Sequence, residues 1–107
     1  MRADLVHGHL DLLVLSVVDA GASYGYAVLE AIRDRSGGAF DLPEGTVYPA
    51  LYRLEADGLL ASEWSQAGGR RRRVYRITRT GRKALLGQRK EWRAFTAAVS
   101  KVIGEPA

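Results

Sequence analysis

The chain has no cysteine, and only one methionine, three prolines and two histidines among its 107 residues. Without thiols it can build neither a disulfide framework nor a thiolate metal site. His7 and His9 stand near the N-terminus with no carboxylate-rich motif beside them, so no metal and no cofactor is expected. No apolar run approaches the roughly 20 residues that a membrane-spanning helix needs. The opening Met-Arg-Ala-Asp-Leu-Val-His also lacks the apolar centre and small-residue cleavage site of a signal peptide. A cytoplasmic protein without a membrane partner is the expectation. Glycine-rich phosphate loops, nucleophile elbows and HExxH patterns are missing as well, which leaves no constellation for an enzyme. There is no internal repeat and no low-complexity linker.

What is present fits a single small core. At 107 residues, with 47% apolar and 26% charged, the composition is that of an ordinary globular domain plus one extra helix. Residues 1–78 are expected to form one unit, and 79–107 a C-terminal helix belonging to it. The net charge of +4 hides a strong asymmetry. Residues 1–64 hold four basic residues against ten acids, a net of −6, and residues 65–107 hold twelve against two, a net of +10. Nine of the thirteen arginines fall between Arg70 and Arg93. Such a distribution suggests a polyanion meeting one face, with a merely solvated basic surface as the plain alternative.

Apolar periodicity predicts the elements. His7 to Ala20 reads as a helix, with Leu10, Leu13, Val14, Val17 and Val18 at i, i+3, i+4, i+7 and i+8. Ser23 can cap a second helix, Tyr24 to Arg35, with Tyr26, Leu29 and Ile32 as its inner stripe. A third helix, from about Pro43 to Asp57, carries Val47, Leu51 and Leu54 and ends at Gly58 as a left-handed cap. Pro49 predicts a bend or an irregular first turn there. Two alternating stretches, Leu60 to Ser65 and Arg73 to Thr78, read as strands joined by the tip Gln66 to Arg73. Thr78 or Thr80 can cap a last helix to about Val102. The predicted fold is mainly α with a small β-hairpin, in the order of a winged helix-turn-helix followed by a C-terminal dimerisation helix.

In a helix-turn-helix the start of the third helix enters the major groove. Thr46 is placed to meet a thymine methyl or a phosphate, Tyr48 a phosphate, and Arg53 lies farther along. Packing inside is the competing reading for both tyrosines, and it is preferred for Tyr52. Ser23 and Tyr24 open the second helix, where free N–H groups favour a phosphate. Arg70, Arg71 and Arg72 on a glycine-hinged tip suit the backbone or the minor groove of DNA, whereas Arg73 can instead begin the strand and point to solvent. On the last helix, Leu85, Trp92, Phe95, Val99 and Val102 form a seam for a second copy of the chain. Trp92 and Phe95 pack in that dimer or, in the sharper reading, leave a slot for a planar aromatic effector.

These residues together resemble the PadR family of bacterial transcriptional regulators. The resemblance rests on His9-Leu-Asp-Leu-Leu-Val-Leu15, Tyr24-Gly-Tyr26, Gly45-Thr-Val-Tyr-Pro-Ala-Leu51, Arg53-Leu-Glu55 and Asp57-Gly-Leu59. It continues through Gly68-Gly-Arg-Arg-Arg72, Tyr75-Arg-Ile-Thr78 and Gly81, so it covers about Leu5 to Trp92. It implies a homodimeric winged-helix repressor, paired through its last helix, that binds inverted repeats in double-stranded DNA and releases them on binding a ligand. Carried over by position, Tyr24, Thr46, Tyr48, Arg53, Arg70, Arg71 and Arg72 would touch DNA, and Trp92 matches a position at which family members stack planar ligands. Pro43-Glu44-Gly45-Thr46 departs from the commoner Ser-Pro-Gly-Thr, and the short C-terminal part matches the compact subfamily. The alternative from another class is a winged-helix interaction module that docks an acidic partner without reading DNA.

Overall fold

The structure, a computed structural model, describes residues 3–106; Met1, Arg2 and Ala107, the outer ends of the two expected segments, lie outside it. The elements run α1 (Ala3–His7), α2 (Leu10–Asp19), α3 (Gly25–Arg35), α4 (Glu44–Ala56), β1 (Leu60–Ser65), β2 (Arg72–Ile77) and α5 (Arg79–Ile103). The predicted first helix therefore begins at Leu10 rather than His7, and a short helix not expected from the sequence, α1, precedes it. Gly8, the costliest ordinary residue in a helix interior, ends α1, and the His9 N–H closes the turn on the Val6 carbonyl at 3.0 Å. α2 then buries Leu10, Val14, Leu15, Val17 and Val18.

α3 starts one residue later than expected, and its buried stripe is also not quite the expected one. Gly25, Val28, Leu29 and Ile32 face inward at i, i+3, i+4 and i+7. Tyr26, expected inside, is one step off that stripe and stands 50% exposed. Ser23 does not cap the helix. Tyr24 holds the capping position with no side-chain hydrogen bond, and the Ser23 carbonyl accepts from the Tyr75 N–H instead. Tyr24 and Val74 form an isolated antiparallel bridge, so the entry to α3 acts as a short third strand beside β2.

α4 buries Val47, Ala50, Leu51 and Leu54 and runs through Pro49 as one helix. The N–H that proline lacks would have reached the Gly45 carbonyl, and because Gly45 is exposed that carbonyl can turn to water instead, so the expected disruption is slight. The helix ends as a Schellman motif. Gly58, at φ +79°, donates to the Glu55 carbonyl, and Leu59 donates to Leu54 at 2.9 Å.

β1 and β2 pair antiparallel in the register Leu60↔Ile77, Ser62↔Tyr75 and Trp64↔Arg73. β2 lies one residue earlier than the sequence suggested. The face bearing Leu60 and Tyr75 closes the core over α2, α3 and α4.

Thr78 joins the hairpin to α5. Its Oγ1 accepts from the Gly81 N–H at 2.9 Å and donates to the Gly58 carbonyl at 2.7 Å. Gly81 must be glycine, because a Cβ there would lie 1.9 Å from the Leu59 carbonyl oxygen. Leu85, expected in the seam between copies, is instead 1% exposed and belongs to this chain's own core. It lies only one turn beyond Gly81, where α5 still runs against the domain. Past it the 25-residue helix, about 37 Å long at about 1.5 Å per residue, leaves the core and presents Leu86, Phe95, Val102 and Ile103 to the surface.

Candidate nucleic-acid interface

The hairpin tip begins with the Ala67–Gly69 turn, where Gly68 and Gly69 take φ of +73° and +75°. These left-handed positions suit glycine, and they bring Arg70 to Arg73 back beside β1. The arginines do not project at random. The Arg71 guanidinium carbon stands 4.3 Å from the Trp64 ring centroid, and that of Arg73 stands 5.4 Å from it. Arg72 lies 4.2 Å over the Tyr24 ring. Arg73 also reaches Glu55 of α4 at 3.6 Å, and Glu55 accepts a 2.6 Å hydrogen bond from Ser62. Arg73 is thus tied down rather than pointing to solvent. Arg70, Arg71 and Arg72 have no carboxylate partner among the described residues.

These groups border an open concavity of about 910 Å³, walled by the hairpin on one side and by Tyr24, Tyr48 and Tyr52 on the other. The two α4 tyrosines exchange the places expected for them. Tyr52 is 55% exposed, whereas Tyr48 is half-buried and packs against the core. The reason is Gly25: a Cβ there would lie 2.3 Å from Tyr48 Cε1, so the bare glycine makes room for the ring across α3. Burial first, then the nearby Glu44 carboxylate and Tyr52, raise the Tyr48 phenol above its ordinary value. Thr46 is half-buried in the first turn of the same helix.

Arg53 is not brought to this concavity. It points to the opposite side of α4, where both terminal nitrogens contact Asp11 Oδ1, at 3.0 and 2.8 Å. There it borders a second concavity of about 540 Å³ with His9, Leu12, Gln88, Trp92 and Phe95. His9 meets the Trp92 ring edge-on at 4.9 Å, and Phe95 lies 6.2 Å from Trp92. The Gln88 Oε1 is buried there without a hydrogen-bond partner among the described residues. Trp92, Phe95, Val99 and Val102 are all exposed on α5.

The model of the transcriptional regulator PadR-like family matches residues 14–86, spanning α2 to the first turns of α5. The chain belongs to the PadR-like family. It is 53% identical over 60 residues to a transcriptional regulator of Mycobacterium tuberculosis, a match covering 56% of this chain and 53% of that one. Among solved structures, a transcriptional regulator from Clostridium thermocellum superposes with a TM-score of 0.85 at 32% identity, covering 94% of this chain and 96% of that one. A PadR-family regulator from Eggerthella lenta gives 0.82 at 35% identity, over 94% and 86%. The winged-helix architecture and the regulator class are therefore those of the PadR family, whose members are DNA-binding proteins and not enzymes. No helix among the described residues is long and apolar enough to cross a membrane.

Sequence reasoning missed Trp64 as a functional neighbour. It lies in the Leu60 to Ser65 stretch, which was read only as a strand, although pairing the two predicted strands back from the tip sets it opposite the arginine run.

Proposed function

We propose that this PadR-family chain is a sequence-specific repressor that binds an inverted-repeat operator as a homodimer and releases it when a planar aromatic effector binds. The observation that carries the reading is that the start of α4, the entry to α3 and the arginine tip border one concavity. Thr46 and Tyr48 supply hydrogen-bonding groups at the helix end that enters a major groove. Arg70, Arg71 and Arg72 face phosphates from the hairpin, and the backbone around Ser23 and Tyr24 can take another. Arg53, neutralised by Asp11 on the far side of α4, takes no part in this contact.

The exposed stripe Trp92, Phe95, Val99 and Val102 on α5 supports pairing with a second copy. A two-fold pair would set two α4 helices about 34 Å apart, in successive major grooves. Trp92 and Phe95 would then line a slot that a flat ring can enter. Fluorescence anisotropy with the chain's own upstream DNA, over a salt series, tests the assignment. Binding should be two chains per site and should weaken steeply as salt rises. Salt-independent binding, or binding by a single chain, would remove the repressor reading. An acidic protein partner that binds equally well after nuclease treatment would favour a docking module in its place.

A further inference from the structure

Directly paired residues on antiparallel strands share a face, as do residues two apart on one strand. Trp64 is paired with Arg73, and Arg71, just before β2 begins, lies over the same ring. One hairpin face therefore carries an indole and two guanidiniums, and both stand over the ring at 4.3 and 5.4 Å. Nearer the base, the same face carries Leu60 and Tyr75 and closes the core. Trp64 itself is 54% exposed and is not among the residues packed on that core. A large ring kept at the surface, with two cations on it, is not there for burial.

A guanidinium lying on a ring keeps its N–H donors around its edge, where an anion can still reach them. Stacking therefore orders the side chain without using up its hydrogen bonds, unlike pairing with a carboxylate. Arg71 is held only in this way, and Arg73 is held by both the ring and Glu55. An arginine ordered before DNA arrives loses less conformational freedom on binding.

We infer that Trp64 is a positioning residue for DNA binding, whose indole face, flanked by the Glu55-paired Arg73, sets Arg71 in the arrangement that meets the phosphate backbone. The inference rests on the reading of the hairpin tip as a DNA contact, and the test separates the two. Trp64→Leu, Trp64→Tyr, the pair Arg71→Ala with Arg73→Ala, and that pair combined with Trp64→Leu are titrated by anisotropy. Each is measured against the upstream duplex and a scrambled duplex at several salt concentrations.

Trp64→Leu should weaken both duplexes alike, by about 5-fold. The slope of log affinity on log salt should stay unchanged, because no charge is lost. Trp64→Tyr should restore most of the loss, and the melting temperature should not move. The arginine pair should lower both affinity and slope, and Trp64→Leu should add nothing in that background. A silent Trp64→Leu, a loss that tracks melting temperature, or a Tyr variant as weak as Leu would each overturn the inference. So would a Trp64→Leu loss that persists without the arginines, since Trp64 would then touch DNA itself. If the arginine pair is silent, the hairpin reading fails; if only Trp64→Leu is silent, that reading stands and this inference alone falls.

Discussion

The two concavities on either side of α4 use the same kinds of residue to opposite ends. In the one beside the hairpin, guanidiniums lie over ring faces, Arg72 on Tyr24 at 4.2 Å and Arg71 on Trp64 at 4.3 Å. The negative face of each ring attracts the cation and leaves the charge available to an anion. In the one beside α5, rings meet rings, with the His9 and Trp92 planes at 70°. The single arginine there, Arg53, is already paired with Asp11 at 2.8 Å. Residue type alone would not separate a surface of carboxylate-free guanidiniums from one of ring against ring. The neighbours do, and α4 is the wall that both share.

The largest effect on the contrast comes from the residue that anchors α5, the helix that walls the second concavity. Leu85 is fully buried where α5 leaves the core, and Leu85→Ala should destabilise the fold by about 3 kcal/mol, read from urea unfolding at fixed protein concentration. Unchanged stability would mean that α5 is held by its partner and not by its own domain. The replacement of Arg70, Arg71 and Arg72 by alanine acts on one side only. It should weaken DNA binding about a hundredfold, about 2.7 kcal/mol, and flatten the salt slope by about 0.9 for each phosphate no longer neutralised. Quenching of Trp92 by a planar aromatic dye should be untouched; if both signals fall together, the two concavities are not independent. Gly25→Ala is subtler. The new methyl must push the Tyr48 ring aside, and DNA affinity should fall by about 5-fold. Because the contacting atoms are the far end of the Tyr48 ring, which can swing outward, stability should fall less than for Leu85→Ala.

Much of this arrangement was legible in the sequence, because local chemistry decided it. Gly58 with Leu59 after α4 spells its helix end, and two glycines before four arginines spell the hairpin tip. What was not legible depends on neighbours far away along the chain. Tyr48 and Tyr52 are equivalent by spacing, and only the missing Cβ of Gly25 on another helix decides which ring turns inward. Leu85 fits the α5 stripe as well as Trp92 does, yet it is consumed where the helix still touches the core. Arg53 looks like one more basic group on a DNA-facing helix until Asp11, 42 positions earlier, is found beside it. Ser23 has the chemistry of a cap, but β2 recruits its backbone first.

The smallest effect concerns alkaline pH and belongs to the hairpin side alone. The Tyr75 phenol is raised first by burial and then by Tyr52 and Glu55, with Arg73 acting the other way; Tyr48 is raised first by burial and then by Glu44 and Tyr52. A phenol raised in the native state holds its proton to higher pH than the unfolded chain, whose tyrosines titrate near about 10. Below that value both states are neutral and the full stability is present. Above it the unfolded state releases protons first, and stability drains away as pH climbs through the native values. The urea midpoint should therefore be flat from pH 8 to about 10 as far as these groups are concerned, and fall beyond. Because the Tyr75 hydroxyl has no hydrogen-bond partner among the described residues, Tyr75→Phe should leave the midpoint at pH 8 unchanged or higher. Combined with Tyr48→Phe, it should make the alkaline fall shallower. Parallel curves for parent and double variant would show that the decline comes from other titrating groups, and that neither phenol is sheltered by the wall it lines.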